Sequence, residues 1–265
     1  IVDIFGLDLK SVSEKELQKI DGVGEKLSEE QILGIIMILD IRLRTAADMV
    51  PRGARLADIG SDHAYLPIAL CLENKIECAL ASDINEGPVR AAVANIHKNG
   101  LSDRIVAVRS DGLDQTRDFA PNCITVLGMG GELIVSILDK ADWVRKEGIT
   151  LVLQPMTHPE ILAKYLAEEG FDVIGEKIVR DGTRDDRIYR IICAKFDGKR
   201  RALTEAEALV GKINLASGDD VARAYIERII RVFSVRIAGK SGVGADASFE
   251  ESIVNELKSY LERNF

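Results

Sequence analysis

The sequence contains no apolar run long enough to cross a membrane, and it has few cysteines. A membrane-spanning helix needs about 18 consecutive apolar residues, whereas the longest candidate run, 32–41, is shorter and contains a glycine and an aspartate. The four cysteines show neither CxxC spacing nor a cluster with histidine. We therefore expect buried, reduced thiols, no membrane partner and no metal, rather than a disulfide framework or a zinc site.

The N-terminal residues lack the features of a secretion signal. Two acids occur within the first eight residues, and neither a basic region nor a small-residue cleavage site is present. We therefore expect a cytoplasmic protein. Its 265 residues are enough for a full α/β core and an additional appendage.

Charge is unevenly distributed along the chain. The net charge is −8, but residues 180–240 contain 14 Lys and Arg against 9 Asp and Glu, which leaves −13 for the remaining residues. A protein that binds a polyanion needs a basic face rather than a basic total. The 180–240 stretch is therefore a candidate nucleic-acid surface, with a solvated helix surface as the alternative.

From residue 51 onward, apolar runs alternate with helix-like stretches. Strands are predicted at 54–59, 77–82, 105–109, 124–127, 150–153, 171–179 and 188–195. Helices are predicted at 65–72, 87–99, 113–118, 131–144 and 159–169. Strands that are separated by helices favour parallel order with right-handed crossovers. The last two strands are joined only by a short segment with an Asp181-Gly182 turn, which predicts an antiparallel hairpin.

This arrangement predicts a Rossmann-like α/β fold with a seven-stranded sheet that is mostly parallel and ends in an antiparallel hairpin. Such a sheet is typical of S-adenosylmethionine-dependent methyltransferases. A dehydrogenase Rossmann domain lacks the terminal hairpin, so the hairpin separates the two classes.

Both ends of the chain are predicted to be helical. Residues 1–36 contain two capping boxes and a glycine turn that faintly resembles helix-hairpin-helix DNA-binding turns, although a plain helical extension is the simpler interpretation. Residues 201–265 have apolar residues at three- and four-residue spacing on either side of a glycine-rich loop at 239–244, which predicts an antiparallel helical hairpin. The predicted domains are therefore 1–36, 37–200 and 201–265.

The most informative motif is the run 57–67, in which an apolar strand ends at the Gly60 turn and a helix follows. Asp83 ends the next strand, twenty-three residues after Gly60. This strand–turn–helix–strand unit is typical of nucleotide binding, because the turn exposes backbone N–H groups and the later acid accepts hydrogen bonds from ribose hydroxyls. A helix cap is the alternative role for Asp83.

The residues after Gly60 favour an amino-acid tail over a diphosphate. Ser61 and Asp62 replace the further glycines of a dinucleotide loop. A carboxylate would repel a diphosphate, whereas Asp58 or Asp62 suits an ammonium group. The turn therefore predicts S-adenosylmethionine rather than NAD as the cofactor.

Polar and glycine residues follow the other predicted strands. An acid at Asp111 can accept the adenine amino group of the cofactor, with Gly112 allowing a tight turn. Enzymes that methylate nucleobase amino groups often carry an Asn/Asp-Pro-Pro-aromatic tetrad after the fourth strand, and this chain has 128–131, Gly-Met-Gly-Gly, instead. This cluster leaves the backbone bare for a planar group, although it could also be a simple tight turn. Gln154-Pro155 borders the same predicted crevice, since a Gln amide both donates and accepts.

Together these motifs resemble the bacterial tRNA (adenine(22)-N1)-methyltransferase family, TrmK. The resemblance rests on residues 39–43, 57–67, 111–113, 128–131 and 153–155, and it extends over about 38–265, including a C-terminal coiled-coil-like domain. It implies methylation of adenine N1 in tRNA with S-adenosylmethionine as donor. Arg42, His63 and Tyr65 would line the entrance, and 180–240 would hold tRNA phosphates. We expect a monomer or a weak homodimer.

The candidate site residues fall into two groups. Those predicted to face the reacting groups are Gly128, Met129, Gly130, Gly131, Gln154, Pro155 and His63. Those predicted to bind the cofactor are Arg42, Asp58, Gly60, Ser61, Asp62, His63, Asp83, Asp111, Gly112 and Gly128. Gln154 or a backbone carbonyl is expected to read the adenine edge, and Gly128 to Gly131 to provide a slot for the base. His63 could instead be a structural or solvated loop residue.

Two other functions are consistent with the same fold. The first is a class I methyltransferase that acts on a small molecule or a protein, although a small acceptor usually needs a lid rather than a protruding helical hairpin. The second is a non-catalytic cofactor-binding scaffold that uses the hairpin as a partner surface.

Overall fold

A computed structural model describes residues 39–182 and 187–264, which form a seven-stranded mixed sheet covered by helices and followed by a helical appendage. The helical extension expected over 1–36, with its capping boxes, lies outside the described residues. None of the helices in the described ranges is both long and apolar enough to span a membrane.

Strands and helices alternate through the first part of the chain. In order they are α1 Ile41–Met49, β1 Ala54–Ile59, α2 Tyr65–Leu72, β2 Ile76–Asp83, α3 Glu86–Lys98, β3 Ile105–Arg109, β4 Cys123–Gly130, α4 Gly131–Asp139, β5 Thr150–Thr157, α5 Pro159–Glu168, β6 Phe171–Arg180 and β7 Ile188–Phe196. The appendage consists of α6 Glu205–Val210, α7 Lys212–Leu215, α8 Asp220–Gly242 and α9 Ser248–Asn264.

The strand order across the sheet is β3-β2-β1-β4-β5-β7-β6. Strands β1 to β5 are parallel, whereas β7 is antiparallel to both of its neighbours, β5 and β6. The predicted terminal hairpin and seven-stranded sheet are therefore confirmed. The order reverses between β1 and β4, and a crevice forms at such a switch point beyond the carboxyl ends of the strands.

Both faces of the central strands are buried, which explains their nearly continuous apolar sequences. Leu56 of β1 packs into one core together with Ile68 of α2. Its neighbour Ala57 points to the opposite face and packs into a second core with Ile134 of α4. Helices on both sides thus hold the strand ends, and the crevice above them, in a fixed position.

Two helix predictions were wrong in their extent. Residues 113–118 form turns and the short 3-10 segment Arg117–Phe119 rather than an α-helix. Side chains there bond locally to the backbone: Ser110 Oγ accepts from the N–H of Gln115, and Thr116 Oγ1 donates to the Leu113 carbonyl. Such bonds compete with helix formation. The helix predicted over 131–144 ends at Asp139, and a separate 3-10 turn, Asp142–Val144, follows.

The hairpin prediction was right, but its loop is shorter than expected. Residues Gly239 to Gly242 belong to α8, so the glycine-rich stretch is mostly helical. Each helical glycine costs about 0.5–1 kcal/mol relative to alanine, and packing against α9 offsets that cost. Lys240 Nζ lies 2.7 Å from a carboxylate oxygen of Glu250 on α9, which helps to close the hairpin.

A buried ion pair attaches the appendage to the sheet hairpin. The Arg190 side chain on β7 donates to Glu176 on β6 at 2.5 Å and to the Ala208 carbonyl of α6 at 2.6 Å. Both charged side chains are almost completely buried. Ile178 of β6 also packs into the apolar core of the appendage. The predicted domain boundary at residue 200 stays a prediction, because the contacts of Arg190 and Ile178 join residues on its two sides.

Candidate active site

A cleft of about 400 Å³ opens at the switch point between β1 and β4. Its walls come from the start of α1, from the loop between β1 and α2, and from Leu127 and Gly128 near the end of β4. No group of three or more His, Cys, Asp or Glu side chains within the described ranges is arranged to hold a metal ion.

Helix α1 brings a cation to one wall of the cleft. Asp40 caps the helix by accepting from the backbone N–H of Leu43 at 2.7 Å, and its second oxygen lies 3.5 Å from Arg42. The Arg42 guanidinium also lies over the ring of Tyr189 on β7, 5.8 Å from its centroid. These contacts direct Arg42 into the cleft.

The backbone of the glycine turn is less available than the sequence suggested. Gly60 has a φ of +73°, as a tight turn requires. However, the N–H groups of Gly60 and Ser61 both donate to the Ser82 carbonyl, each at 2.8 Å. The expectation that these amides face a ligand is therefore wrong. The hydroxyls of Ser61 and Ser82 are instead buried without a hydrogen-bond partner among the described residues, which suits a polar ligand next to the turn.

Asp58 is the buried carboxyl of the site. It is 6% exposed and accepts a hydrogen bond from Thr125 Oγ1 at 2.6 Å. Burial raises the pKa of Asp58, and the hydrogen bond from Thr125 and the charge of Arg42 oppose this shift only in part. A carboxyl group in this state gains from a ligand cation that replaces its lost hydration. Asp62, by contrast, is exposed and lies 3.4 Å from His63 Nε2.

Gln154 lies beneath the cleft rather than in it. Its side chain is 0% exposed, because β5 continues past the predicted end at residue 153. Its Oε1 accepts from Arg42 Nη1 and from the N–H of Gly128, both at 3.1 Å. Its Nε2 donates to the Pro155 carbonyl at 2.9 Å. These bonds use the amide internally, so the structure does not bring it to a position from which it could read a base.

The glycine tetrad does not form one continuous slot. Gly128 has a φ of +79° and is exposed to the cleft, where Arg42 is its neighbour. Gly131 is buried, and a Cβ there would overlap the carbonyl oxygen of His158. Met129 covers Gly60, and a Cβ on Gly130 would lie 3.1 Å from Thr157 Oγ1. Only the first glycine of the tetrad is therefore placed to admit a ligand.

The predicted adenosine-binding acids lie together beside the cleft. Asp83 on β2 pairs in register with Arg109 on β3, and Asp111 lies two residues after Arg109. Asp83 and Asp111 therefore share the β2–β3 edge, at the carboxyl ends of these two strands. Asp83 accepts from the N–H of Asn85 at 2.7 Å, whereas the cap position of α3 belongs to Asn85. Gly112 adopts a φ of +53°. These residues flank the cleft rather than line it.

Sequence reasoning missed one residue at this edge. Ile84 follows Asp83 directly and is 51% exposed. A large apolar side chain that remains exposed beside candidate ribose and adenine acceptors suits the face of a flat ring. In the sequence, an isoleucine directly after the acid continues the apolar run. This pattern alone does not tell whether the side chain of Ile84 is buried or exposed.

The seven-stranded sheet with its inserted antiparallel strand, and the acid-lined cleft at its switch point, define a class I methyltransferase. A family model described as a methyltransferase domain matches residues 39–192. The tRNA (adenine(22)-N(1))-methyltransferase of Bacillus subtilis is 37% identical over 161 residues, covering 59% of this chain and 65% of that protein. The match thus spans slightly less than two thirds of the length of this curated relative.

Two solved structures are similar over most of this chain. The B. subtilis tRNA methyltransferase TrmK is 29% identical with a TM-score of 0.70, covering 84% of this chain and 96% of that one. A candidate tRNA methyltransferase of Streptococcus pneumoniae, solved in complex with S-adenosyl-L-methionine, is 26% identical with a TM-score of 0.70, covering 83% and 98%. The chain belongs to the methyltransferase domain family, and it is similar in sequence and fold to the TrmK enzyme of B. subtilis.

The close contact at Gly131 generates a stability prediction. Gly131→Ala should destabilise the protein by about 1–3 kcal/mol, because the added methyl group meets a backbone carbonyl that cannot move aside. Gly87→Ala is a matched control, since both glycines lie in the first turn of a helix with φ outside the left-handed region, and a Cβ at Gly87 meets no atom within 4 Å. The free energy of unfolding in urea measures both, and equal values would contradict the packing argument.

Proposed function

We propose that this chain transfers the methyl group of S-adenosylmethionine to N1 of an adenine in tRNA, at position 22 as in the name of the B. subtilis relative. The observation that carries the proposal is the meeting of Asp58, Arg42 and the exposed backbone of Gly128 in one cleft at the switch point. The opposite charges of Asp58 and Arg42 match the ammonium and carboxylate groups of an amino-acid tail, and the exposed backbone of Gly128 lies next to them. Action on tRNA would place the protein in the cytoplasm, and we retain a monomer or weak homodimer as part of the proposal.

Each part of the donor has a matching group in this chain. When bound, S-adenosylmethionine supplies an electrophilic methyl group on a sulfonium. Asp58 suits the ammonium group and Arg42 the carboxylate, while Asp83 suits the ribose hydroxyls. Ile84 and Asp111 suit the face and the amino group of the cofactor adenine. The unpartnered hydroxyls beside the glycine turn supply further polar contacts.

The reaction asks the protein for alignment rather than proton transfer. Neutral adenine N1 already carries a free lone pair, so no general base is needed, and the rate depends on holding the base in line with the methyl group. The base must leave its stack to reach a cleft of this kind. Gly128 offers bare backbone at the point of approach, and Gln154 fixes both Gly128 and Arg42 from below.

The two long helices of the appendage differ in charge. Helix α8 carries five Lys and Arg against two Asp and Glu, whereas α9 carries two against four. Arg228 and Arg231 are exposed on α8. We therefore assign α8 to the tRNA backbone, where cations position the RNA without reading its sequence. This assignment replaces the broader basic stretch 180–240, because Arg190 is buried in an ion pair.

The direct test maps methylation in RNA. Unmodified tRNA incubated with the protein and labelled donor should gain one methyl group, which blocks reverse transcription at a single adenine. Methylation of a small molecule or a protein without any RNA product would contradict the proposal and favour a class I methyltransferase for such substrates. Donor binding without transfer to any RNA would contradict it in favour of a scaffold.

The proposed ribose contact predicts a loss of donor affinity. Asp83→Ala should weaken donor binding by about 1.5–3 kcal/mol, because hydrogen bonds to a charged group are lost. Asp103→Ala is the control, since Asp103 is an exposed acid that precedes β3 at the amino ends of the strands, away from the cleft. Calorimetric titration measures both affinities, and an unchanged value for Asp83→Ala would show that the ribose lies elsewhere.

The charge difference between the helices predicts which one contacts tRNA. Arg228→Glu with Arg231→Glu should weaken tRNA binding and flatten its dependence on salt, since fewer phosphates are neutralised. Lys258→Glu with Arg263→Glu makes the same charge change on α9 and should have a much smaller effect. Donor affinity should stay constant in both variants. Equal losses of tRNA affinity would argue against a specific role for α8.

A further inference from the structure

The proposed function requires a surface that holds the extruded base in plane, and the end of β4 does not supply one. Residues 128–131 contain no aromatic side chain. Gln154 and Pro155 at the end of β5 are buried. Among the described residues that line the cleft, the aromatic side chains are His63 and Tyr65, in the loop between β1 and α2.

These two rings form a stacked pair at the mouth of the cleft. Their centroids are 5.0 Å apart and their planes differ by 18°. The His63 side chain is 40% exposed, and Tyr65 is 38% exposed. A stacked pair that keeps this much surface beside a ligand cleft offers a face to a further ring.

The backbone around the pair is held in a conformation that keeps the rings together. Ala64, between them, has a φ of +56°, a left-handed conformation that L-residues other than Asn and Asp rarely adopt. Asn95 Nδ2 of α3 donates to the His63 carbonyl at 3.0 Å. Such strained residues persist where the surroundings over-determine them, often at ligand sites. The backbone conformation of Ala64 and the hydrogen bond from Asn95 therefore support the stacked arrangement of the two rings.

The position of the pair favours the acceptor base over the cofactor. The proposed adenosine contacts, Asp83, Ile84 and Asp111, lie on the β2–β3 edge and do not line the cleft. The aromatic pair lines the cleft together with Arg42 of α1 and Gly128. A purine that enters beside Gly128 therefore shares the cleft with this aromatic pair, of which Tyr65 is an exposed member.

We propose, on the basis of the function proposed above, that Tyr65 supported by His63 is the stacking platform for the adenine that is methylated. The pair replaces the aromatic residue that is missing after β4. Stacking tolerates any base, so the platform holds the ring in plane and leaves discrimination to other contacts.

A cycle of protein and RNA changes tests the platform. Tyr65→Leu should weaken binding of unmodified tRNA about 10-fold, in the range expected for one base–aromatic stack. A tRNA that is abasic at the target position should bind wild type and Tyr65→Leu equally, because the stacking partner is already absent. Tyr65→Phe keeps the ring and should restore most of the tRNA affinity that Tyr65→Leu loses. Melting temperature and donor affinity should be unchanged in both variants.

Three outcomes would overturn the platform. In the first, Tyr65→Leu binds intact tRNA as well as wild type does. In the second, it loses the same affinity for intact and abasic tRNA, which would indicate a backbone contact or a folding defect. In the third, Tyr65→Phe is as impaired as Tyr65→Leu, which would assign the role to the hydroxyl. If wild type methylates no tRNA at all, it is the proposed function that fails, and the two failures are thus distinguishable.

Discussion

A single buried carboxamide joins the three elements that form the cleft. Gln154 stands on β5 and accepts hydrogen bonds from Arg42 on α1 and from the backbone of Gly128 on β4. Both partners are donors, so the amide oxygen must face them and the orientation of the side chain is fixed. Loss of the oxygen would leave a backbone N–H and a guanidinium without this acceptor in a largely buried place.

This fixed frame suits the proposed chemistry. A reaction that needs no general base depends on distance and angle, and small displacements reduce its rate strongly. The groups proposed to meet the donor and the base sit on strand ends and helix starts that two apolar cores hold in place. The buried Arg190–Glu176 pair also attaches the appendage, and with it the surface proposed to hold the tRNA backbone, to the sheet.

The sequence was sufficient to predict what depends on periodicity and local turn chemistry. The strand positions, the closing hairpin and the two long helices follow from apolar spacing and short connections. The sequence did not reveal which acceptors the backbone N–H groups of the glycine turn bond to. The turn was predicted to expose N–H groups to a ligand, although the Ser82 carbonyl accepts hydrogen bonds from those of Gly60 and Ser61. Gln154 was placed in the crevice because the apolar run ends at Leu153. The strand in fact continues alongside the irregular end of β4.

Helix α8 carries a net positive charge and α9 a net negative charge, so the helical hairpin has one positive and one negative side. Outside residues 180–240 the chain carries a net charge of −13, which has the sign that repels a polyanion. The net positive charge of α8 has the sign that attracts a polyanion. If α8 holds the tRNA backbone as proposed, the acidic remainder of the protein would disfavour encounters in other orientations before any specific contact forms.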